Sequence, residues 1–123
     1  MVDISSVGLI LLTYKGKALL MHKQKNAIDE EEHPWCFIGG VKKAKESFED
    51  VLQRRVEKEA GIKIKNVEFM SEFCYHAELT DDNVNQMQRG EFQLLDFFTP
   101  RELSKLFLAN STQSFLAKHP NLI

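Results

Sequence analysis

The sequence predicts an α/β domain in which helices cover a mixed β-sheet. Three observations support this prediction. Apolar runs typical of strands alternate along the chain with capped, amphipathic segments typical of helices. Two of the predicted strands are separated by a tight turn and form a hairpin. The chain of 123 residues is long enough for a real hydrophobic core, so we expect a single domain over residues 1–123.

The first half of the chain contains the predicted hairpin. The segments SVGLILLTY and KALLMHK are predicted strands, and the turn between them lies at Lys15-Gly16. A polar loop, QKNAIDEEEH, follows and ends at Pro34. The short apolar run WCFI comes next, and we expect this strand to stop at Gly39-Gly40.

The first predicted helix lies between two terminal signals. It begins near Ser47, whose hydroxyl can cap it, and Asp50 is the partner expected for a capping box. Gly61 ends the helix because glycine readily adopts the left-handed conformation found just after a helix. Together these signals predict a helix over residues 47–60.

The second half of the chain alternates in the same way. The segment KNVEFMSEFCYHAEL is predicted to form one or two strands, TDDNVNQMQRG a mobile loop, and EFQLLDFF another strand. A helix is expected in TPRELSKLFL, with Thr99 as its cap and Pro100 at its first position. The segment NSTQSFLAKH is predicted to form a last short helix, capped at Asn110 or Ser111.

Composition excludes several classes of protein. The net charge of −2 gives no general attraction to a nucleic acid polymer or an acidic membrane. Cys36 and Cys74 form no disulfide framework and no CxxC spacing, which favours a reducing compartment. The apolar stretch VGLILL is far shorter than the about 20 residues of a membrane span, and it follows Asp3 rather than a basic segment. We therefore expect a soluble, cytoplasmic protein.

The predicted first helix has charged residues on its apolar side. Projected at about 100° per residue, Arg55 and Glu59 fall one turn apart within the apolar arc, and Lys58 lies at its edge. In one interpretation the arginine stem covers apolar surface and pairs with Glu59 at the i,i+4 spacing. In the other, this side of the helix borders a cleft and its charges face a ligand. Composition alone leaves both open. The apolar arc consists of Phe48, Val51, Leu52, Val56 and Ala60.

The segment from Gly40 to Ile62 resembles the Nudix box. That pattern is a glycine, five residues, a glutamate, seven residues, and then Arg-Glu-aliphatic-x-Glu-Glu-x-Gly-aliphatic. Seven of its nine fixed positions are present over 23 residues without a gap, namely Gly40, Glu46, Arg54, Val56, Glu59, Gly61 and Ile62. The preceding WCFIGG is similar to the family's W-x-x-P-G-G, with Ile38 in place of proline, and the segment from RGEFQLLDFF onward looks like the family's closing strand and helix. The resemblance implies the Nudix fold, an α/β/α sandwich around a mixed β-sheet.

The resemblance also implies an activity and a cofactor. Nudix hydrolases cleave a nucleoside diphosphate linked to another group, using Mg²⁺ or Mn²⁺ ions to bridge the pyrophosphate. The family places metal-binding glutamates at the positions of Arg55, Lys58 and Glu59, so the charge there changes from −3 to +1. A single positive charge about 5 Å from a divalent ion costs roughly 6 kcal/mol at a dielectric near 20. Millimolar Mg²⁺ binding is worth only about 4 kcal/mol. We therefore expect weak or absent metal binding and weakened or lost hydrolysis.

The resemblance assigns a role to each matching residue. Glu59 is the catalytic candidate and a metal ligand, with Glu46 and Glu91 as further metal carboxylates. Arg55 and Lys58 depart from the family pattern, and their position alone suggests the hypothesis that they hold phosphate oxygens directly. Structural alternatives remain open, because Glu59 can be an ion-pair partner, Glu46 an exposed residue before the helix cap, and Glu91 a polar residue at a strand start. The expected motif residues are Arg54, which braces the box through an ion pair, and Gly39, Gly40 and Gly61, which serve backbone geometry.

Three weaker candidates lie outside the box. His76 could face the cleft from the sheet, Trp35 could stack on a base, and the run from Asp29 to His33 could attract a metal. Ordinary packing explains His76 and Trp35 at least as well, and a solvated acidic loop explains the run.

Three functions remain in competition. The first is a working pyrophosphohydrolase that uses Glu59, Glu46 and Glu91. The second is a non-catalytic binder of a small nucleotide-type ligand through Arg55 and Lys58, and it is slightly favoured because the loop glycines and ordering residues are retained. The third is an interaction module. No nucleic acid polymer or membrane is expected as a partner, and a homodimer would be unsurprising for a domain of this size.

Overall fold

The computed structural model describes residues 7–23, 34–88 and 93–123. The strands in this part of the chain are β1 (Val7–Tyr14), β2 (Lys17–Lys23), β3 (Ile38–Val41), β4 (Glu68–Ser71), β5 (Cys74–Glu78) and β6 (Gln93–Phe98). The helices are α1 (Phe48–Ala60), α2 (Asp81–Gln86), α3 (Pro100–Leu103) and α4 (Asn110–Lys118). No helix among these residues is both long and apolar enough to cross a membrane.

The strands form one mixed sheet, as the sequence predicts. Its order is β4-β5-β1-β2-β6, and β3 pairs with β1 beside this path. The β1–β5 pair is parallel, and the other strand pairs are antiparallel. The first half of β1, from Val7 to Ile10, pairs with β3, whereas its second half pairs with β2. The strand β1 therefore lies at the centre of the sheet and next to β3, which carries the two glycines of the motif.

The predicted hairpin between β1 and β2 is confirmed. Its turn residues Lys15 and Gly16 have positive φ angles of 50° and 78°. Two central residues with positive φ characterise the tight turns whose twist matches that of antiparallel strands. The strands register so that Tyr14 pairs with Lys17 directly across the turn.

The prediction that the WCFI strand stops at the two glycines is wrong. The strand β3 runs through both glycines, while Trp35 and Cys36 form only isolated bridges. Close packing explains the glycines. A Cβ atom on Gly39 would lie 2.7 Å from Leu9 Cδ2, and one on Gly40 would lie 2.6 Å from Val51 Cγ1. The missing side chains therefore let β1 and α1 approach β3, and they do not end the strand.

Helices cover both faces of the sheet. One core packs α1 against the sheet, and a second core lies on the opposite face and includes residues of α3 and α4. This arrangement is the predicted α/β/α sandwich. Buried residues of the first core include Ile10, Leu12, Ile38, Leu52, Val56, Tyr75 and Leu95. Those of the second include Leu11, Leu20, Phe37, Cys74, Leu103 and Phe115.

The segment that follows β5 differs from the prediction of a mobile loop. Residues 81–86 form the short helix α2, which Thr80 and Asn83 cap reciprocally. Asn83 Nδ2 also donates to the Lys63 carbonyl at 3.0 Å, and the Gln88 amide donates to the Ala60 carbonyl at 2.8 Å. These bonds fasten α2 and the residues after it to the last residue of α1 and the segment that follows, which the sequence pattern alone does not show.

The last two helices begin in different ways, α3 at a side-chain cap and α4 at a contact with a distant segment. Helix α3 has the predicted Thr99 cap and Pro100 at its first turn. Helix α4 follows Ala109 without a side-chain cap, so the predicted cap at Asn110 or Ser111 is wrong. The Ala109 amide instead donates to the Trp35 carbonyl at 2.9 Å, so a contact with a distant segment fixes this start.

Candidate functional site

Local hydrogen bonds determine where α1 begins and ends. Ser47 Oγ accepts a hydrogen bond from the Asp50 amide at 3.1 Å, so the predicted cap forms, although only this half of the capping box is present among the described residues. Gly61 has a φ of 69°, and its amide donates to the Glu57 carbonyl at 2.9 Å, as predicted for the end of the helix. Between these ends the 3.6-residue period places Arg55 and Glu59 on the side of α1 that faces β3.

Arg55 links α1 to β3, the strand that contains Gly39 and Gly40. Its Nη2 lies 3.0 Å from Glu59 Oε1, and its Nε donates to the Gly39 carbonyl at 3.3 Å. The Glu59 side chain is only 8% exposed and the Arg55 side chain is 34% exposed. The ion pair predicted by the i,i+4 spacing therefore forms, and it holds a nearly buried carboxylate.

Arg55 also borders a cleft, which is the geometric part of the second interpretation of its position. The cleft has a volume of about 410 Å³ and lies beside β3 at the start of β1. Its walls differ in chemistry. Two arginines of α1 supply a cationic wall, and three valines supply an apolar wall. The lining residues are Val7, Gly39, Gly40, Val41, Val51, Arg54 and Arg55.

A second ion pair holds the loop that precedes α1. Arg54 Nη1 donates to Glu46 Oε2 at 2.6 Å, and Glu46 Oε1 accepts from the Lys43 amide at 3.4 Å. The hydrogen bond from Arg54 lowers the pKa of Glu46 below its usual value, and the same bond raises the pKa of Arg54. This is the contact that a bracing role for Arg54 requires. Glu46 is therefore engaged in loop structure.

The donors in the described residues do not fit a divalent cation. Mg²⁺ and Mn²⁺ require several oxygen ligands, of which carboxylate and carbonyl oxygens are typical. Two such oxygens, Glu59 Oε1 and the Gly39 carbonyl, are instead bound by the guanidinium of Arg55. No cluster of three His, Cys, Asp or Glu side chains that could hold a metal ion occurs in residues 7–23, 34–88 and 93–123. Lys58 is exposed next to Glu59, and Glu91 lies outside the described residues.

Two of the weaker sequence candidates, His76 and Trp35, do not line this cleft. His76 belongs to the sheet face opposite α1, where its Nε2 lies 2.8 Å from Thr13 Oγ1, so the suggestion that it faces the cleft is wrong. Trp35 packs between the rings of His22 and Phe98, at centroid distances of 4.8 Å and 4.9 Å. Trp35 is therefore a packing residue. The acidic run from Asp29 to His33 lies outside the described residues.

Sequence reasoning did not identify the apolar wall or the role of Gly8. Val7 and Val41 pair across β1 and β3 and remain 38% and 51% exposed. Gly8 pairs with Gly40, and a Cβ atom on Gly8 would lie 2.6 Å from Phe48 Cδ1. An isolated glycine inside a predicted strand signals a close approach of another element, and this was the available clue to the role of Gly8.

Comparison with known proteins yields one family and many similar structures. The family model for the NUDIX domain matches residues 3–118. A MutT NUDIX hydrolase from Burkholderia pseudomallei has 18% sequence identity and a TM-score of 0.69, with 92% of this chain and 95% of that chain covered. The NUDIX domain of Shewanella oneidensis NrtR, solved with ADP ribose, has 13% identity and a TM-score of 0.67, with coverage of 93% and 84%.

A NUDIX-family hydrolase from Clostridium perfringens has 16% identity and a TM-score of 0.65, with coverage of 95% of this chain and 97% of that chain. No curated protein matches the sequence significantly. At these low identities the similarity shows a shared fold, and it does not transfer the role of any site residue to this chain.

Proposed function

This chain belongs to the NUDIX family, and we propose that it binds a small nucleotide-type molecule containing a pyrophosphate group while metal-dependent hydrolysis is weakened or lost. One observation carries the proposal. The guanidinium of Arg55 contacts both the Glu59 carboxylate and the Gly39 carbonyl, which are oxygens of the kinds that divalent cations take as ligands. Arg55 is then a permanent cation in the place where the family relies on metal charge.

The remaining hydrogen-bonding capacity of Arg55 supports binding of an oxyanion. A guanidinium carries five N–H donors. Two of them serve Glu59 and Gly39, so three are left, and the partly exposed side chain lines the cleft. Arginine binds phosphate oxygens well because its donors form a planar fork and its charge is retained at all ordinary pH values.

The surrounding charges favour an anionic ligand over a cation. Arg54 lines the same cleft, although Glu46 neutralises part of its charge. Lys58 adds a further cation beside Glu59, so the three positions that normally carry metal-binding glutamates hold two cations and one carboxylate. Attraction of a diphosphate and repulsion of a metal ion follow from the same charges. The ADP ribose bound to the NrtR NUDIX domain supports a nucleotide-type ligand.

Two measurements on the same protein test the proposal. The first is product release from a panel of nucleoside diphosphates, triphosphates and dinucleotides with Mg²⁺ and then Mn²⁺, for wild type and Glu59→Gln. The second is calorimetric binding of the same compounds in excess chelator. We expect no turnover but measurable binding at micromolar to millimolar ligand. Metal-dependent turnover that disappears in Glu59→Gln would instead establish a working hydrolase.

A matched pair of variants connects the binding to Arg55. Arg55→Gln removes the charge while it retains a side chain that can donate to Glu59, and we expect a loss of about tenfold or more in affinity. Arg101→Gln makes the same change on the exposed surface of α3 and is expected to bind like wild type. Equal affinities for the two variants would remove Arg55 from the binding site.

A further inference from the structure

A second cleft lies on the sheet face opposite α1. It has a volume of about 380 Å³ and is formed by the start of β1, the β4–β5 turn and one side of α4. Its floor and walls are mainly apolar, whereas Glu72, Ser111, Ser114 and Lys118 contribute polar groups to its lining. The apolar lining residues are Val7, Leu9, Phe73, Cys74 and Phe115. We call this site the α4 cleft.

The α4 cleft shares one lining residue with the cleft beside β3 that Arg54 and Arg55 line, which we call the arginine cleft. Val7 lines both of them and is 38% exposed, so neither cleft closes over it completely. On one side of Val7 lie two lining residues with cationic side chains, Arg54 and Arg55. On the other side lie the apolar side chains of the α4 cleft. A molecule that is anionic at one end and apolar at the other would match this order of surfaces.

We infer that the α4 cleft takes the apolar body of a phosphorylated small molecule whose phosphate groups are held at Arg54 and Arg55. This inference rests on the proposed function for its phosphate end, and it adds that one of the groups linked through the pyrophosphate is apolar. The volume of about 380 Å³ falls within the range of known small-molecule sites, which extends from about 300 to 1,000 Å³.

The charges at the α4 cleft explain why the phosphate end of the ligand is expected to bind in the neighbouring arginine cleft. One cation, Lys118, and one carboxylate, Glu72, contribute to its lining, so their charges cancel. The α4 cleft therefore has no net attraction for an ion and offers mainly apolar contact. Affinity from such contact is proportional to the apolar area buried, whereas orientation comes from the charged end of the ligand.

The turn that forms part of the α4 cleft is strained. Phe73 has a φ of 66°, which is unusual for a residue with a large side chain. Two contacts maintain this conformation, a hydrogen bond of 2.9 Å from the Leu9 amide to the Phe73 carbonyl and a ring contact with Phe48 at 5.6 Å. Strained residues held by their surroundings are frequent at ligand-binding positions, and Phe73 lines the α4 cleft.

A series of linear alkyl phosphates in excess chelator tests the inference. Each methylene group buried in the α4 cleft is expected to tighten binding by about fourfold, until the cleft is full and the affinity stops rising. Inorganic phosphate and pyrophosphate serve as the members without an apolar body. Equal affinity throughout the series, with phosphate still bound, would overturn this inference and leave the proposed function standing. Absence of binding by every member, with nucleoside diphosphates still bound, would overturn this inference alone, and absence of binding by both sets of compounds would overturn both proposals.

Two variants of α4 locate the apolar end of the ligand. Ser114→Glu places a charge in the α4 cleft, and Ala117→Glu places the same charge on an exposed position of the helix that does not line it. We expect Ser114→Glu to abolish the dependence on chain length while the affinity for inorganic phosphate remains unchanged. Ala117→Glu is expected to retain both properties. A wild-type chain-length dependence in Ser114→Glu would place the alkyl chain elsewhere.

The variant Ser111→Cys gives an independent readout, because Ser111 is exposed and lines the α4 cleft, whereas the native Cys74 is buried. In a Cys36→Ser background, the rate of alkylation of Ser111→Cys by a small reagent is measured with and without ligand. Hexyl phosphate is expected to slow the reaction several-fold, and inorganic phosphate at equal saturation to leave it unchanged. Equal protection by both compounds would contradict occupation of the α4 cleft by the alkyl chain.

Discussion

Arg55 and Glu59 lie one turn apart on α1 and form an ion pair of 3.0 Å in which the carboxylate side chain is 8% exposed and the guanidinium side chain 34% exposed. A carboxylate with so little access to water depends on its cationic partner, because an unpaired buried charge is strongly unfavourable. The pair therefore has two consequences. Loss of either partner alone destabilises the fold at the centre of the motif, and the pair keeps the Glu59 carboxylate bound to a guanidinium.

The first prediction concerns stability. Arg55→Met leaves Glu59 nearly buried without its partner, and we expect the free energy of unfolding to fall by about 3 kcal/mol, the lower end of the range for broken buried pairs, because Arg55 is partly exposed. Urea denaturation measures this change. The double variant Arg55→Met, Glu59→Leu removes both charges and is expected to recover most of the loss.

Arg54→Met is the matched control for this stability measurement. It breaks the neighbouring ion pair with Glu46, whose two side chains are 59% and 22% exposed. Solvent already screens this pair, so only a small change is expected. A large loss of unfolding free energy in Arg54→Met together with a small loss in Arg55→Met would contradict this prediction. It would show that the fold depends on the Arg54–Glu46 pair and not on the Arg55–Glu59 pair.

The second prediction concerns metal binding. Arg55→Glu combined with Lys58→Glu restores carboxylates at two positions of the motif and changes the local charge by four units. We expect this variant to bind Mn²⁺ with a dissociation constant of about 1 mM or lower, which corresponds to about 4 kcal/mol. Electron paramagnetic resonance of free Mn²⁺ measures the binding, and wild type is expected to show none at these concentrations.

The control for metal binding has the same change in charge at a distant place. Arg101→Glu combined with Lys105→Glu alters the exposed surface around α3 and leaves the motif intact. It is expected to bind no more Mn²⁺ than wild type. Equal binding by both double variants would mean that net charge, and not the site on α1, governs the response.

Sequence reasoning succeeded where the determining contacts are local. Ser47 and Gly61 act on backbone groups within about one helical turn, so their positions define the ends of α1. The ion pair between Arg55 and Glu59 is also local, because the helical period alone brings i and i+4 together. The family motif then supplied the fold that joins these elements.

The parts that escaped prediction depend on remote contacts. The start of α4 is fixed by a bond from Ala109 to Trp35. A bond to Lys63 fastens α2, and a bond to Ala60 fastens Gln88 just after it. The contact of Arg55 with the Gly39 carbonyl joins two elements that are 16 positions apart along the chain. No local signal encodes such contacts, since they arise only when the sheet and helices pack together.

The third prediction concerns the approach of α1 to β3. A Cβ atom on Gly40 would lie 2.6 Å from Val51 Cγ1 and 3.0 Å from Arg55 Cγ. We expect Gly40→Ala to lower the free energy of unfolding by about 1–3 kcal/mol through overpacking and to weaken ligand binding by displacing Arg55. Thermal unfolding and calorimetry measure the two effects.

Val51→Ala provides the test of this steric cause. Alone it leaves a cavity and destabilises the protein, but in the Gly40→Ala background it removes the atom responsible for the closest contact. The double variant is therefore expected to lose less stability than the sum of the single variants. Strictly additive losses would show that the two side chains do not meet.

The last prediction concerns pH and His76, on the sheet face opposite α1. Burial lowers the pKa of His76 below its ordinary value of 6.5, although Glu68 and Glu78 oppose this shift. The unfolded chain therefore binds a proton at higher pH than the folded chain. The stability that this difference contributes is complete above about pH 6.5 and is lost as the pH falls through the folded-state pKa. His76→Gln is expected to flatten the dependence of the unfolding free energy on pH between about 7 and 5, as measured by urea denaturation. The same slope in wild type and His76→Gln would show that other groups cause the loss.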